Sequence, residues 1–169
     1  MAANEGLTAL EVLGVAIQSE IEAGELYALL AGQVRNVTLA AKLDFLRGEE
    51  EKHCSILQDV YQRRFPDVEL QLPAQSPVPT VDVAALANMT VPELFQLAMK
   101  AEQLASDFYA READRSFDEM GRTTLRYLSH VESGHYKMLE TEYELISRFP
   151  DYYNVEEFHF GDELMHIGP

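Results

Sequence analysis

In the stretch GEEEKH, residues 48–53, Glu50 and His53 fall where a helix should bury leucines. The apolar seam around them reads Leu39, Leu43, Leu46, Glu50, His53, Leu57, Val60, spaced by four and three throughout. That spacing puts both polar side chains on one helix face, one turn apart. The same intrusion recurs downstream in Leu125, Leu128, Glu132, His135, Leu139. A third seam, Leu10, Leu13, Ile17, Glu20, Gly24, Tyr27, Ala31, is interrupted by Glu20.

These intrusions belong to an internal repeat with a constant offset of 82 residues. Thr8 pairs with Thr90, Glu11 with Glu93, Glu20 with Glu102 and Tyr27 with Tyr109. Leu43 pairs with Leu125, Glu50 with Glu132, His53 with His135 and Leu57 with Leu139. RFPD also recurs, at Arg64 and Arg148, after a slip of two residues. Each half therefore carries one Glu on its first helix and Glu-x-x-His on its second.

Burying one unpaired carboxylate costs several kcal/mol, and four together repel one another. Protons, arginines or metal ions could relieve that cost. No basic residue lies on the four seams near these positions. Four ionised Glu with two neutral His carry about −4, which two divalent cations would balance. Each ion would take one His nitrogen, one terminal Glu and a share of two bridging Glu. An open position would remain for water, oxygen or peroxide. Taken singly, Glu20 or Glu102 reads as a solvated edge residue, and one Glu-x-x-His is weak evidence. Two copies, each on a leucine seam and each with a seam Glu 30 residues upstream, form the ligand set of ferritin-like di-iron and dimanganese bundles.

The elements that must position these groups are four amphipathic helices. They are expected at roughly 9–34, 38–65, 91–115 and 117–148, the first and third opened by the capping boxes Thr8–Glu11 and Thr90–Glu93. Between them, residues 66–89 hold Pro66, Pro73, Pro77 and Pro79 and cannot continue a helix. A crossover along the bundle explains so long a connection, with helices two and three parallel; a disordered linker between hairpins is the other reading. The expected fold is all-α, a four-helix bundle over residues 1–149 built from two repeated hairpins. Residues 150–169 form an aromatic, acidic tail expected to pack on the bundle or on a partner subunit.

Composition narrows the function. The 169 residues suit one domain, and 29 acidic against 13 basic residues give a net charge of −16. That balance argues against nucleic-acid and anionic-membrane partners and suits a protein that gathers cations. The one cysteine, Cys54, excludes an intrachain disulfide or a paired-cysteine metal knuckle and suits a reducing compartment. No apolar run is long enough to span a membrane and no signal peptide is read, so the expected location is cytoplasmic.

The motifs resemble those of the rubrerythrin branch of the ferritin-like superfamily. The matching segments are the helices carrying Glu20…Tyr27 and Glu102…Tyr109, together with EEEKH and VESGH, over about residues 8–148. The resemblance implies a di-iron site held by Glu20, Glu50, His53, Glu102, Glu132 and His135, with Glu50 and Glu132 bridging. It implies a di-iron oxidoreductase acting on hydrogen peroxide or oxygen. Rubrerythrins proper also carry a rubredoxin domain with paired cysteines, which this chain lacks. Electrons would then come from an external donor such as a separate rubredoxin-like protein. They also carry an extra carboxylate where Ala105 stands and a Glu where His135 stands. The symmetric set here resembles the ferroxidase centre of bacterioferritin. Ferroxidation with iron storage or delivery, a dimanganese catalase, a hydroxylase and a metal-free acidic interaction module are the competing readings. A homodimer is the expected assembly.

Tyr27 and Tyr109 follow their Glu by seven residues, about 10.5 Å along a helix. Helical side chains lean toward the N-terminus, so each phenol could reach a carboxylate of the site or remain a core tyrosine. Cys54 points about 100° from His53 and reads as a core or interface thiol, not a ligand. His130 faces elsewhere than His135, and His159 and His166 read as surface residues of the tail.

Overall fold

The computed structural model describes residues 7–73, 89–116 and 118–155. These residues form four long helices, α1 (Ala9–Gln33), α2 (Val37–Arg64), α3 (Val91–Arg115) and α4 (Glu119–Arg148), and a short 3-10 turn at Tyr152–Asn154. None of these helices is long and apolar enough to cross a membrane.

Local chemistry sets where each helix begins. At α1, the Thr8 backbone N–H and hydroxyl each donate to Glu11 Oε2 at 2.8 Å. At α3, Thr90 donates to Glu93 in the same way, at 2.8 and 2.7 Å. The other two starts use side chains that the seam pattern did not single out. Asn36 Oδ1 accepts from the Leu39 N–H at 2.9 Å, so α2 begins at Val37, one residue before expectation. Asp118 Oδ1 accepts from the Gly121 N–H at 2.7 Å, so α4 begins at Glu119, later than expected. Short polar side chains at these positions satisfy N–H groups that have no partner within the helix.

α1 pairs chiefly with α2 and α3 with α4, and the two hairpins meet mainly along α1 and α3. The apolar side chains collect in two clusters. One takes Leu26 and Leu30 of α1, Leu43 of α2, Leu94 and Phe95 of α3, and Leu139 of α4. The other takes Ile17, Leu57, Tyr109 and Leu128 from the opposite ends of the same helices. The late part of α1 thus lies beside the early part of α3, which makes those two helices antiparallel. Because α1 and α2 form a hairpin, α2 and α3 run parallel, and their connection must travel the length of the bundle. Residues 74–88 of that connection lie outside the described residues.

After α4 the chain folds back. Tyr152 is buried against the first cluster, and the Tyr153 carbonyl accepts from the Arg35 N–H at 2.8 Å. The rest of the tail expectation, including His159 and His166, falls on residues 156–169, outside the described residues.

Candidate metal centre

Between the two apolar clusters lies a polar layer. The seams that bury leucine above and below it deliver Glu20 from α1, Glu50 and His53 from α2, Glu102 from α3, and Glu132 and His135 from α4. All six are buried, none more than 5% exposed. Their ligand-type atoms form two overlapping groups, Glu20–Glu50–His53–Glu132 and Glu50–Glu102–Glu132–His135, with atoms inside each group within 4.8 Å of one another. Glu50 and Glu132 belong to both groups. Each of the two carboxylates therefore lies between the two imidazoles.

The distances are short and the partners are all acids and imidazoles. His53 Nδ1 lies 3.0 Å from Glu50, 3.2 Å from Glu132 and 3.3 Å from Glu20. His135 Nδ1 lies 2.9 Å from Glu132 and 3.0 Å from Glu50. The two rings face each other across the layer at 5.6 Å, 17° from parallel. Among the described residues, no lysine or arginine pairs with any of the four carboxylates. Both oxygens of Glu132, Oε1 of Glu50 and Nδ1 of His135 have no aligned hydrogen bond despite these close approaches. Buried polar atoms are rarely left so, since each unpaired group costs ~1–3 kcal/mol and more when charged.

Electrostatics in the metal-free layer show the same tension. Burial, then the Glu132 charge, push the Glu20 carboxyl well above its ordinary range. Burial and the Glu50 charge do the same to Glu102. Glu50 is also opposed by burial, but the imidazoles of His135 and His53 outweigh it and hold the carboxyl down at about 2. Burial acts to lower the His53 pKa, yet Glu132, Glu20 and Glu50 push it up to about 12. His135 rises to about 9 for the same reason, with Glu132 and Glu50 prevailing over burial. These opposed shifts mark a layer of acids short of positive charge, which divalent cations are chemically suited to supply. The donor set fits a pair of metal ions.

The tyrosines enter from opposite clusters and cross the repeat. Tyr27 of α1 donates its hydroxyl hydrogen bond to Glu102 of α3, and Tyr109 of α3 donates to Glu20 of α1. Burial, then the nearby carboxylates, raise both phenols well above 10.0, so each keeps its proton to donate. Cys54 contributes no atom to either group and is half-buried, while His130 is exposed.

Two buried carboxylates escaped the sequence reading. Glu112 accepts from Arg111 at 3.0 Å and from Arg115 at 3.2 Å. Glu142 accepts from Lys42 and, at 3.1 Å, from the Tyr152 hydroxyl. The signal was available, because Glu142 continues the seam His135, Leu139 at the next position, and Glu112 stands three residues after Tyr109. Both have the basic partners that the central four lack. Glu142 ties α4 to Lys42 of α2, whereas the arginines of Glu112 lie on its own helix α3, and both carboxylates are a poor fit to metal.

Comparison with known proteins agrees with this geometry. The family model described as rubrerythrin matches residues 11–143. A solved structure of a hypothetical protein from Pyrococcus furiosus is similar at 31% identity, with a TM-score of 0.73. That match covers 90% of this chain and 94% of that one. No curated protein matches the chain.

Proposed function

The chain belongs to the rubrerythrin family, and from that premise we propose that it is a di-iron carboxylate oxidoreductase that reduces hydrogen peroxide or oxygen. The observation that carries this reading is the buried layer of four carboxylates and two imidazoles, with no lysine or arginine paired to the carboxylates among the described residues. Glu20 and His53 would hold one ion, Glu102 and His135 the other, and Glu50 and Glu132 would bridge them. When bound, a pair of iron ions supplies two electrons to an O–O bond and an open position at which the oxidant can bind.

The chain's own groups do the rest. Tyr27 and Tyr109 each engage one carboxylate, fixing its orientation from the neighbouring helix. Their phenolic protons are donated to carboxylates of the layer. The apolar clusters on both sides exclude bulk water, which strengthens every charge interaction inside. The single cysteine offers no paired-cysteine iron site, which supports a separate electron donor. In this reading the protein works in the cytoplasm as a homodimer.

A second reading, ferroxidation, is favoured by the symmetry of the donor set: each half supplies one Glu and one Glu-x-x-His. The two separate on turnover. Peroxide consumption sustained by a reductant, at constant iron, supports the oxidoreductase. Iron(II) oxidation that stops once the added iron is consumed, without reductant-driven turnover, supports ferroxidation. Glu50→Ala should abolish either activity, and retention of activity in that variant would overturn the site assignment.

A further inference from the structure

A cavity of about 380 Å³ opens between α1 and α2 and reaches the polar layer; Glu20 and Glu50 line its floor, Gly24 and Cys54 its walls, and Arg47 and Glu51 its mouth. Glycine creates the space. A Cβ on Gly24 would point at the Glu50 Cβ at 3.9 Å, so a larger side chain would grow over the carboxylate that belongs to both ligand groups. The repeat supplies an internal comparison. Position 24 corresponds to Ser106, and Arg47 to Ser129. There the Ser106 hydroxyl donates to the Ser129 carbonyl at 2.8 Å, tying α3 to α4 where α1 and α2 stand apart. The two halves match in their ligands and differ in this part of the wall.

We propose that the groove between α1 and α2 is the port through which divalent metal ions enter the centre, with Gly24 as the residue that keeps it open. The inference rests on the metal-centre reading above. The lining suits a cation: Glu20, Glu25, Glu50 and Glu51 face it against one base, Arg47. That base is engaged at the mouth, 3.8 Å from Glu51 and 3.6 Å from Asp44. Carboxylates along a narrow path raise the local cation concentration and offer successive ligands on the way in. Glu50, which is 1% exposed and has an oxygen without a hydrogen bond, ends that path. The ion site of Glu20 and His53 is then the first to fill and the first to exchange, while that of Glu102 and His135 fills across the bridging carboxylates.

The test is the rate of cobalt(II) uptake by metal-free full-length protein, followed by its ligand-field absorption after rapid mixing. Two modifications narrow the port: Gly24→Leu, and alkylation of Cys54 with N-ethylmaleimide, verified by mass. Alkylation is selective because Cys54 is the one thiol in the chain. Either change should slow uptake by on the order of tenfold or more while the final absorbance stays the same. Cys54→Ser protein carried through the same maleimide treatment should take up cobalt at the untreated rate. Uptake at an unchanged rate in both narrowed proteins overturns the port and leaves the centre standing. Absence of any cobalt signal in the unmodified protein overturns the centre, and the port with it.

Discussion

At the scale of single residues, the account turns on which buried acids have partners. Glu112 and Glu142 are nearly as buried as the central four but are neutralised by arginines or a lysine. Glu102 is not, and burial pushes its carboxyl well above the ordinary carboxylate range, toward the neutral form. Glu102→Gln keeps the shape and supplies a neutral side chain. Its metal-free stability should change by about 1 kcal/mol or less, while the rise in melting temperature on metal loading should shrink or vanish. Thermal melts with and without cobalt check both halves. Tyr109→Phe and Tyr27→Phe should each weaken metal binding by roughly 10–100-fold through loss of the hydrogen bond to Glu20 or Glu102, measured by competition with a chelator. The six ligand candidates were legible in the sequence because a seam tolerates a polar residue only for a reason, and the repeat showed the same exception twice. The direction of the tyrosine bonds was not legible. Spacing along α1 places Tyr27 near a carboxylate, but only the antiparallel approach of α3 makes that carboxylate Glu102 instead of the tyrosine's own Glu20.

At the scale of elements, the helices were readable from period and capping boxes, and their ends were less so. Thr8 and Thr90 announce their helices through a Glu three residues on, whereas Asn36 and Asp118 cap without that second signature. Asn36 is nearly fully buried, caps α2 and also donates to the Tyr152 carbonyl at 3.4 Å, which couples the helix start to the returning chain. Asn36→Ala should cost about 1–2 kcal/mol in chemical denaturation. The returning turn carries its own pH signature. Burial, then the Glu142 carboxylate, raise the Tyr152 hydroxyl from 10.0 to about 12. A raised folded pKa means that its contribution is complete below pH 10 and is lost between pH 10 and 12, where the unfolded chain ionises first. Tyr152→Phe should flatten that part of the stability profile relative to the parent protein. An equal slope in the two proteins would show that the hydroxyl is not the group involved. That the tail packs was expected from the sequence; where its first residues dock was not, since no periodicity marks a turn held by backbone bonds to Arg35 and Asn36.

At the scale of the whole molecule, two hairpins enclose one polar layer between two apolar clusters, and a net charge of −16 surrounds it. The parallel course of α2 and α3 follows from the antiparallel meeting of α1 and α3, which brings the Glu and Glu-x-x-His of both hairpins into one layer. Duplication explains why so much of the architecture could be read from the chain: one half predicts the other. What duplication hides is the difference between the halves, and Gly24 opposite Ser106 became meaningful only when the wall of the layer was visible. Long-range attraction by the acidic surface should also show, as metal uptake that slows when sodium chloride is raised from low to physiological concentration. The most direct test of the central claim is the metal content per chain after anaerobic iron(II) loading and removal of loosely bound ions, for the parent protein and for Glu50→Ala with Glu132→Ala. The account predicts about two irons per chain in the parent and a loss of bound iron when the two shared carboxylates are removed. A parent protein that retains no metal, or a double variant that retains as much as the parent, would contradict it.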